Sequence, residues 1–456
     1  MSLDFTTFHN IIAGQPRSAA TVHAGVSPLT RAKLWDVPVA TAQDVDDAVA
    51  AAAAAFPGWA ALPYTERTRL LGEFADLYLQ HAEEFVELLM AETGRSQDTR
   101  EHQADACSAK YTLPETKHED DELVAITKYE PLGVVAAICP WNSMGKIAPA
   151  IATGNTLIVK PSPFTPYTTL KLIHLAQRIF APGILQALSG DDTLGPLLVH
   201  HPRIQKISFT GSTATGQKIL RGCAETMKRF TLETGGNNVG IVFPDVDVAA
   251  TAAKIAGGLW FNAGQVCINA RRLYVHSAVY GEFVRVLGDV TQKMAGGVGP
   301  VQNEMQFEKV QAVLRECQEL GLRFVAGGEE GKKGGEEQGL FVRPVVLDNP
   351  PDEAGVLQEE VFGPVVSCKP FDTADEVVRI ANEGTTGLSA IVWTADAELA
   401  ERVSAQLDVG NVFVNGPPKP NAYVPFGGHK LSGMGVEYGL EGLLGFCQVK
   451  SVHVYK

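Results

Sequence analysis

Lys206-Ile207-Ser208-Phe209-Thr210-Gly211-Ser212-Thr213-Ala214-Thr215-Gly216-Gln217-Lys218 begins as a strand, Lys206–Thr210. It then passes through a loop of small residues and opens a helix expected over Gly216–Cys223. Backbone N–H groups at a helix N-terminus favour a phosphate, and small residues let it approach. Gly216 is followed by Gln217 rather than Lys, so this is not a Walker loop, and it is not GxGxxG either. Upstream, the same rhythm reads as strand Gly133–Cys139, helix Lys146–Thr153, strand Thr156–Lys160, helix Thr165–Ile179, strand Leu185–Leu188 and helix Thr193–His200. Strands and helices alternating at this spacing imply a parallel sheet with helices on both faces.

Downstream a second α/β series is expected. It comprises strand Val239–Phe243, helix Asp247–Asn262, strand Arg272–Val275, helix Ser277–Met294, strands Phe341–Leu347 and Val365–Pro370, helix Asp375–Glu383, strand Ser389–Thr394, helix Ala397–Leu407 and strand Gly410–Asn415. Before the first series, residues 5–40 read as short strands and turns. Helices follow from Thr41, a cap with Asp44 three residues on, to Ala55, from Pro63 or Thr65 to Tyr78, and from His81 to Glu92, closed by Gly94. Arg95–Ala109 reads as a further short helix. Val124–Glu130 alternates like an exposed strand, Ser451–Tyr455 is a short strand, Gly327–Gly339 a surface loop, and Gly433-Met434-Gly435 a turn.

The chain has 456 residues, 45% hydrophobic and 20% charged, which is ample for large cores. A formal charge of -14 argues against nucleic acid or an anionic membrane as partner, since both demand clustered Lys and Arg. Seven cysteines without CxxC pairing make neither a disulfide framework nor a zinc site, and no metal is expected. No basic segment precedes an apolar run at the N-terminus, and no apolar stretch reaches the ~20 residues of a membrane helix. The expectation is a cytoplasmic protein.

Two stretches carry chemistry. In Asn262-Ala263-Gly264-Gln265-Val266-Cys267-Ile268-Asn269 a cysteine follows an Ala-Gly step and precedes Arg271-Arg272. A thiol attacks only as thiolate, so it needs a lowered pKa or a base. In Thr231-Leu232-Glu233-Thr234-Gly235-Gly236-Asn237-Asn238 a lone acid sits against a glycine pair, a candidate general base.

Seven motifs occur in order: Pro140-Trp141-Asn142, Lys160-Pro161-Ser162, Phe209-Thr210-Gly211-Ser212, Leu232-Glu233-Thr234-Gly235-Gly236-Asn237, Gly264-Gln265-Val266-Cys267, Glu360-Val361-Phe362-Gly363-Pro364 and Pro425-Phe426-Gly427-Gly428-His429-Lys430. Together, over nearly the whole chain, they resemble the NAD(P)-dependent aldehyde dehydrogenase superfamily. The resemblance implies an α/β fold with a Rossmann-like cofactor domain (1–116 and 133–235), an α/β catalytic domain (236–443) and a small β oligomerisation extension (117–132 and 444–456). It implies oxidation of an aldehyde to a carboxylic acid with NAD or NADP, in a homodimer or homotetramer.

By resemblance, Cys267 would attack the aldehyde and Asn142, with the Cys267 N–H, would hold the oxyanion. Glu233 would activate the water that hydrolyses the thioester, and Lys146 would belong to a proton relay with it. Lys160 would bind the cofactor ribose, Ser162 the cofactor, Gly211 and Ser212 the pyrophosphate, Trp141 the region beside it, and Glu360 with Phe362 the nicotinamide ribose. Glu233 argues against a coenzyme A-using relative.

The chain departs from that pattern in several places. Only Ser143-Met144 separates Asn142 from Gly145-Lys146, where relatives carry about seven apolar residues of the substrate tunnel, and the stretches 100–114 and 294–300 are also short. A shortened tunnel leaves open a second reading, a cofactor-binding protein of impaired catalysis. Pro163 stands where many relatives place a ribose-binding Glu, which disfavours NADP less. Val436 stands where Arg is commoner.

Overall fold

The computed structural model describes residues 3–95, 112–142, 146–328 and 339–456. The expected Arg95–Ala109 helix beyond Arg95, the Ser143-Met144 segment and the middle of the Gly327–Gly339 loop lie outside the described residues.

Apolar runs of four or five residues, too short for buried helices, build the centres of two sheets. The first has eight strands in the order Gln15–Arg17, Asn10–Ile12, Leu185–Ala187, Thr156–Lys160, Val134–Ile138, Lys206–Gly211, Arg229–Thr234 and Gly433–Met434. The five inner strands from Leu185 to Thr234 are parallel, and the ends are antiparallel. Val134–Ile138 and Thr156–Lys160 are buried throughout. Each Val, Leu or Ile so placed contributes roughly 1.5–3 kcal/mol. The helix Ala42–Ala60 covers one face, started by a capping box between Thr41 and Asp44. It continues past the expected end at Ala55 to Ala60, with Pro57 inside its last turn.

The second sheet has seven strands in the order Arg323–Ala326, Val345–Asp348, Val365–Phe371, Arg272–His276, Val239–Val242, Ser389–Trp393 and Asn411–Val414. All neighbours are parallel except the first pair. A three-stranded sheet stands apart: Cys447–Tyr455 pairs antiparallel with Leu123–Pro131, which pairs with Thr116–Glu119. The final strand is therefore longer than the expected Ser451–Tyr455.

Two further local readings are corrected, and two elements had no reading. The helix after the phosphate loop spans Thr213–Thr226 rather than Gly216–Cys223, because Ser212 caps it by accepting from the Thr215 N–H. Gly433–Met434 is a strand rather than a turn, pairing Glu233↔Gly433 and Leu232↔Met434. The strand Arg229–Thr234 and the helix Glu304–Glu319 were not signalled by apolar patterning, since the strand alternates with polar residues and the helix buries only Val310 and Cys317.

Candidate active site

Ligand sites in open parallel sheets lie beyond the C-terminal ends of the strands, where the strand order reverses. Here the chain lays strands outward from Val134–Ile138, then returns to its other side with Lys206–Gly211. The expected residues collect at that edge. Trp141 and Asn142 follow Val134–Ile138, Lys160 ends its strand and Ser162 follows it, Gly211 ends the next with Ser212 after it, and Glu233 is the penultimate residue of Arg229–Thr234.

The link from the first sheet to the second is short. Glu233 leads through Gly235, Gly236 and Asn237 to Asn238, just before Val239–Val242. Asn238 fixes the cysteine loop: its Nδ2 donates to Cys267 O at 2.6 Å and to Asn269 O at 3.0 Å. Arg271 donates to Gly363 O at 3.1 Å, Val266 O at 3.2 Å and Gly264 O. Both Arg271 and Arg272 are buried and spent on backbone carbonyls, Arg272 on Asn237 O at 2.9 Å. The turn before the cysteine is left-handed at three successive residues, Asn262 (φ 52°), Ala263 (φ 53°) and Gly264 (φ 71°). For the two that are not glycine this costs roughly 1–2 kcal/mol each, and it persists only where the surroundings hold it.

Cys267 is half-buried, and its thiol is pushed up to about 12 by burial and then by the Glu360 and Glu233 carboxylates. Glu233 is buried, and neither carboxylate oxygen has a hydrogen-bond partner among the described residues. Burial first, then the nearby Glu437 charge, holds its carboxyl well above the usual carboxylate range, with Lys146 opposing. Lys146 is buried and paired with Glu437, so it is not a solvated helix residue.

Glu437 is the site residue the sequence reading missed. It is held by a two-way backbone pair with Phe426, each N–H donating to the other's carbonyl at 2.7 Å. Its segment reaches Glu233 because Gly433, at φ 141°, lets the two backbones touch where a Cβ would strike Leu232 O. The signal lay in the Pro425–Lys430 motif, since a segment that must pair at the sheet edge brings its successors with it.

Glu360 leans on Gly235, where any side chain would collide with its carboxylate. Burial raises its carboxyl to about 7, opposed by Arg271 and by the Gly236 N–H. Trp141 and Phe362 meet edge-to-face with centroids 5.7 Å apart. The Asn142 Nδ2 donates to Gln265 O at 3.3 Å.

The cofactor fit rests on unsatisfied groups. Lys160 is buried, and its one hydrogen bond among the described residues is to Pro161 O at 3.3 Å. Glu360 Oε1 is buried without a partner among the described residues. A buried donor and a buried acceptor left open cost free energy that sugar hydroxyls would recover. The Ser212-capped helix start offers backbone N–H groups for a phosphate. The Ser162 hydroxyl accepts from the Phe164 N–H at 3.2 Å and so shapes the turn after Lys160.

Residues 16–452 match the model of the aldehyde dehydrogenase family. Aldehyde dehydrogenase LUC3 from Fusarium is 54% identical over all of both chains, and the betaine aldehyde dehydrogenase of Vibrio vulnificus 35% over 94% of each. The NAD-dependent aldehyde dehydrogenase of Sinorhizobium meliloti superposes with a TM-score of 0.94 at 33% identity, covering 99% of this chain and 96% of that one. A Bacillus cereus aldehyde dehydrogenase in complex with NAD+ gives 0.93 at 33%, covering 98% and 96%. The chain belongs to the aldehyde dehydrogenase family, enzymes that oxidise aldehydes with a nicotinamide dinucleotide. No helix among the described residues is long and apolar enough to cross a membrane.

Proposed function

We propose that Cys267 is the nucleophile of this oxidation and Glu233 its base. The observation that carries the reading is a half-buried thiol whose charge environment includes a buried carboxylate with both oxygens unpaired. A thiol pushed up to about 12 is protonated at neutral pH, so it must give its proton to a base as it attacks. The sulfur adds to the aldehyde carbon. The Cys267 N–H and one N–H of the Asn142 amide steady the oxyanion, while the other amide N–H is used on Gln265 O.

Lys160, Glu360, Ser162, Trp141, Phe362, Gly211 and Ser212 hold the NAD or NADP. A nicotinamide dinucleotide held there would supply the acceptor for the hydride of the substrate carbon. Glu233 then takes a proton from the water that attacks the thioester, and the acid leaves as the Cys267 sulfur is released. The Glu437 carboxylate, held by the Lys146 ammonium, receives the Glu233 proton. Replacing Cys267 by Ala abolishes aldehyde-dependent reduction while leaving cofactor affinity intact, and retained turnover overturns the reading. Because Pro163 supplies no carboxylate against a 2′-phosphate, kcat/KM with NAD and with NADP differs by less than about tenfold; steady-state kinetics with both checks this.

The expected domain division, 1–116 with 133–235, 236–443, and 117–132 with 444–456, is supported by the eight-, seven- and three-stranded sheets, with Gly433–Met434 crossing from the second range to the first sheet. Assembly as a homodimer or homotetramer is supported by the last strand, whose Val449, Val452, Val454 and Tyr455 are all exposed. An open, apolar strand edge calls for a partner. Residence in the cytoplasm is supported by the free thiols of all six described cysteines.

A further inference from the structure

Arg95 stands just outside the reacting groups, two residues after the helix Ala82–Thr93. Its Nη2 donates to Asn142 O at 3.0 Å and its Nε to Asn262 Oδ1 at 3.2 Å. Asn262 Nδ2 in turn donates to Gln265 O at 3.1 Å. The Asn142 side chain donates to the same carbonyl at 3.3 Å. These four bonds close a ring that joins the Asn142 peptide, the left-handed turn and the residue two before Cys267. Gln265 is fully buried.

We propose that Arg95 is a positioning residue that holds the Asn142 amide and the Cys267 turn in mutual register; this rests on the reading of Asn142 as an oxyanion donor. The two groups come from different sheets, and among the described residues the ring is where their hydrogen bonds meet. The task needs two donors in a rigid plane, which a guanidinium supplies and an ammonium does not. Arg95 is itself anchored by a second route. The backbone carbonyl of Glu92 accepts from Gln302 Nε2 at 2.9 Å, and the Gln302 N–H donates to Gln265 Oε1 at 2.9 Å. Gln265 Nε2 donates to Pro300 O at 3.2 Å. The helix end that carries Arg95 is thus tied to the same Gln265 that the ring encloses. Burial pulls the guanidinium down to about 10, with Glu92 opposing, so it stays cationic at neutral pH.

The test is a set of full-length variants: R95M, R95K, R95A, N142A and R95M/N142A. The readouts are kcat, KM for the aldehyde, cofactor Kd by fluorescence, and thermal stability. Displacing a catalytic group by about an ångström costs on the order of 10²-fold, so R95M is expected to lose about that in kcat with KM and cofactor Kd little changed. R95M/N142A is expected to be no slower than N142A, because the arginine acts through the asparagine. Free guanidinium ion is expected to restore part of kcat to R95A, and R95K to restore less than the native residue. Losses that multiply in the double variant, or a wild-type kcat in R95M while N142A is impaired, overturn this proposal alone. A wild-type kcat in N142A overturns the oxyanion reading and the proposal with it. If R95M fails to fold, R95K at wild-type kcat also overturns the proposal.

Discussion

Two glutamates, Glu233 and Glu92, are almost equally buried, at 3% and 1% exposure, and differ in what surrounds them. Glu92 accepts from the Tyr167 N–H at 2.9 Å and the Thr168 N–H at 3.2 Å, at the start of the helix Tyr167–Ala176. Glu233 accepts nothing among the described residues. Burial raises both carboxyls, but the one with amide partners is structural and the one without keeps its lone pairs for a proton. Low solvent access therefore does not by itself mark a reactive acid; unmet hydrogen-bonding capacity beside a nucleophile does.

The largest test of this contrast is E233Q. It is expected to cut steady-state kcat by ~10²–10⁴-fold, the range for losing a general base. If hydrolysis is the step lost, stopped-flow absorbance shows at most one equivalent of reduced cofactor per site and intact mass shows the acylated cysteine. Unchanged turnover would dissolve the contrast. The pH profile sharpens it next. Glu233 must be ionised to act, and its value is raised, so kcat is expected to climb with pH above the ordinary carboxylate range. Lys146 opposes that rise in value, so K146M is expected to move the climb to still higher pH, and a pH–rate series on both proteins reads the shift.

The smallest effect falls on the other member of the pair. E92Q is expected to leave kcat unchanged and to cost about 1–3 kcal/mol, as for one unmet buried group, read as a lowered Tm. Its pH dependence has a defined sign. Glu92 titrates at about 7 in the fold against 4.5 ordinarily, so folding favours the protonated form. That contribution is present in acid, below 4.5, and is lost as pH rises through about 7. The wild-type Tm should fall over this interval more than that of E92Q.

How far the sequence could be read follows from the same physics. Val134–Ile138, Thr156–Lys160 and Ser277–Met294 were legible because each buries a continuous run or a clean helical stripe. Arg229–Thr234 was not, because four of its six residues are polar, among them Glu233 of the site. Glu304–Glu319 hid for the opposite reason, as a mostly solvated surface helix. Among site residues, Cys267, Glu233, Asn142 and Glu360 lay inside short motifs. Glu437 did not, because its place depends on an edge strand that looks like a turn from its glycines alone. Arg95 carries no local signal at all, since its partners stand 47 and 167 positions away.

The late arrival of Gly433–Met434 at the edge of the first sheet has a consequence in time. Lys146 and its counter-ion Glu437 are separated by 291 positions, so a ribosome finishes both sheet centres before it makes the acid. Throughout that interval a nascent chain that has already folded would carry a buried ammonium without its partner, a state costly enough to favour keeping the region loose. The last few dozen residues supply the strand at the sheet edge and the lysine's counter-ion. A chain that stops short of Gly433 thus lacks Glu437, the last strand of the first sheet and the strand Cys447–Tyr455 of the three-stranded sheet.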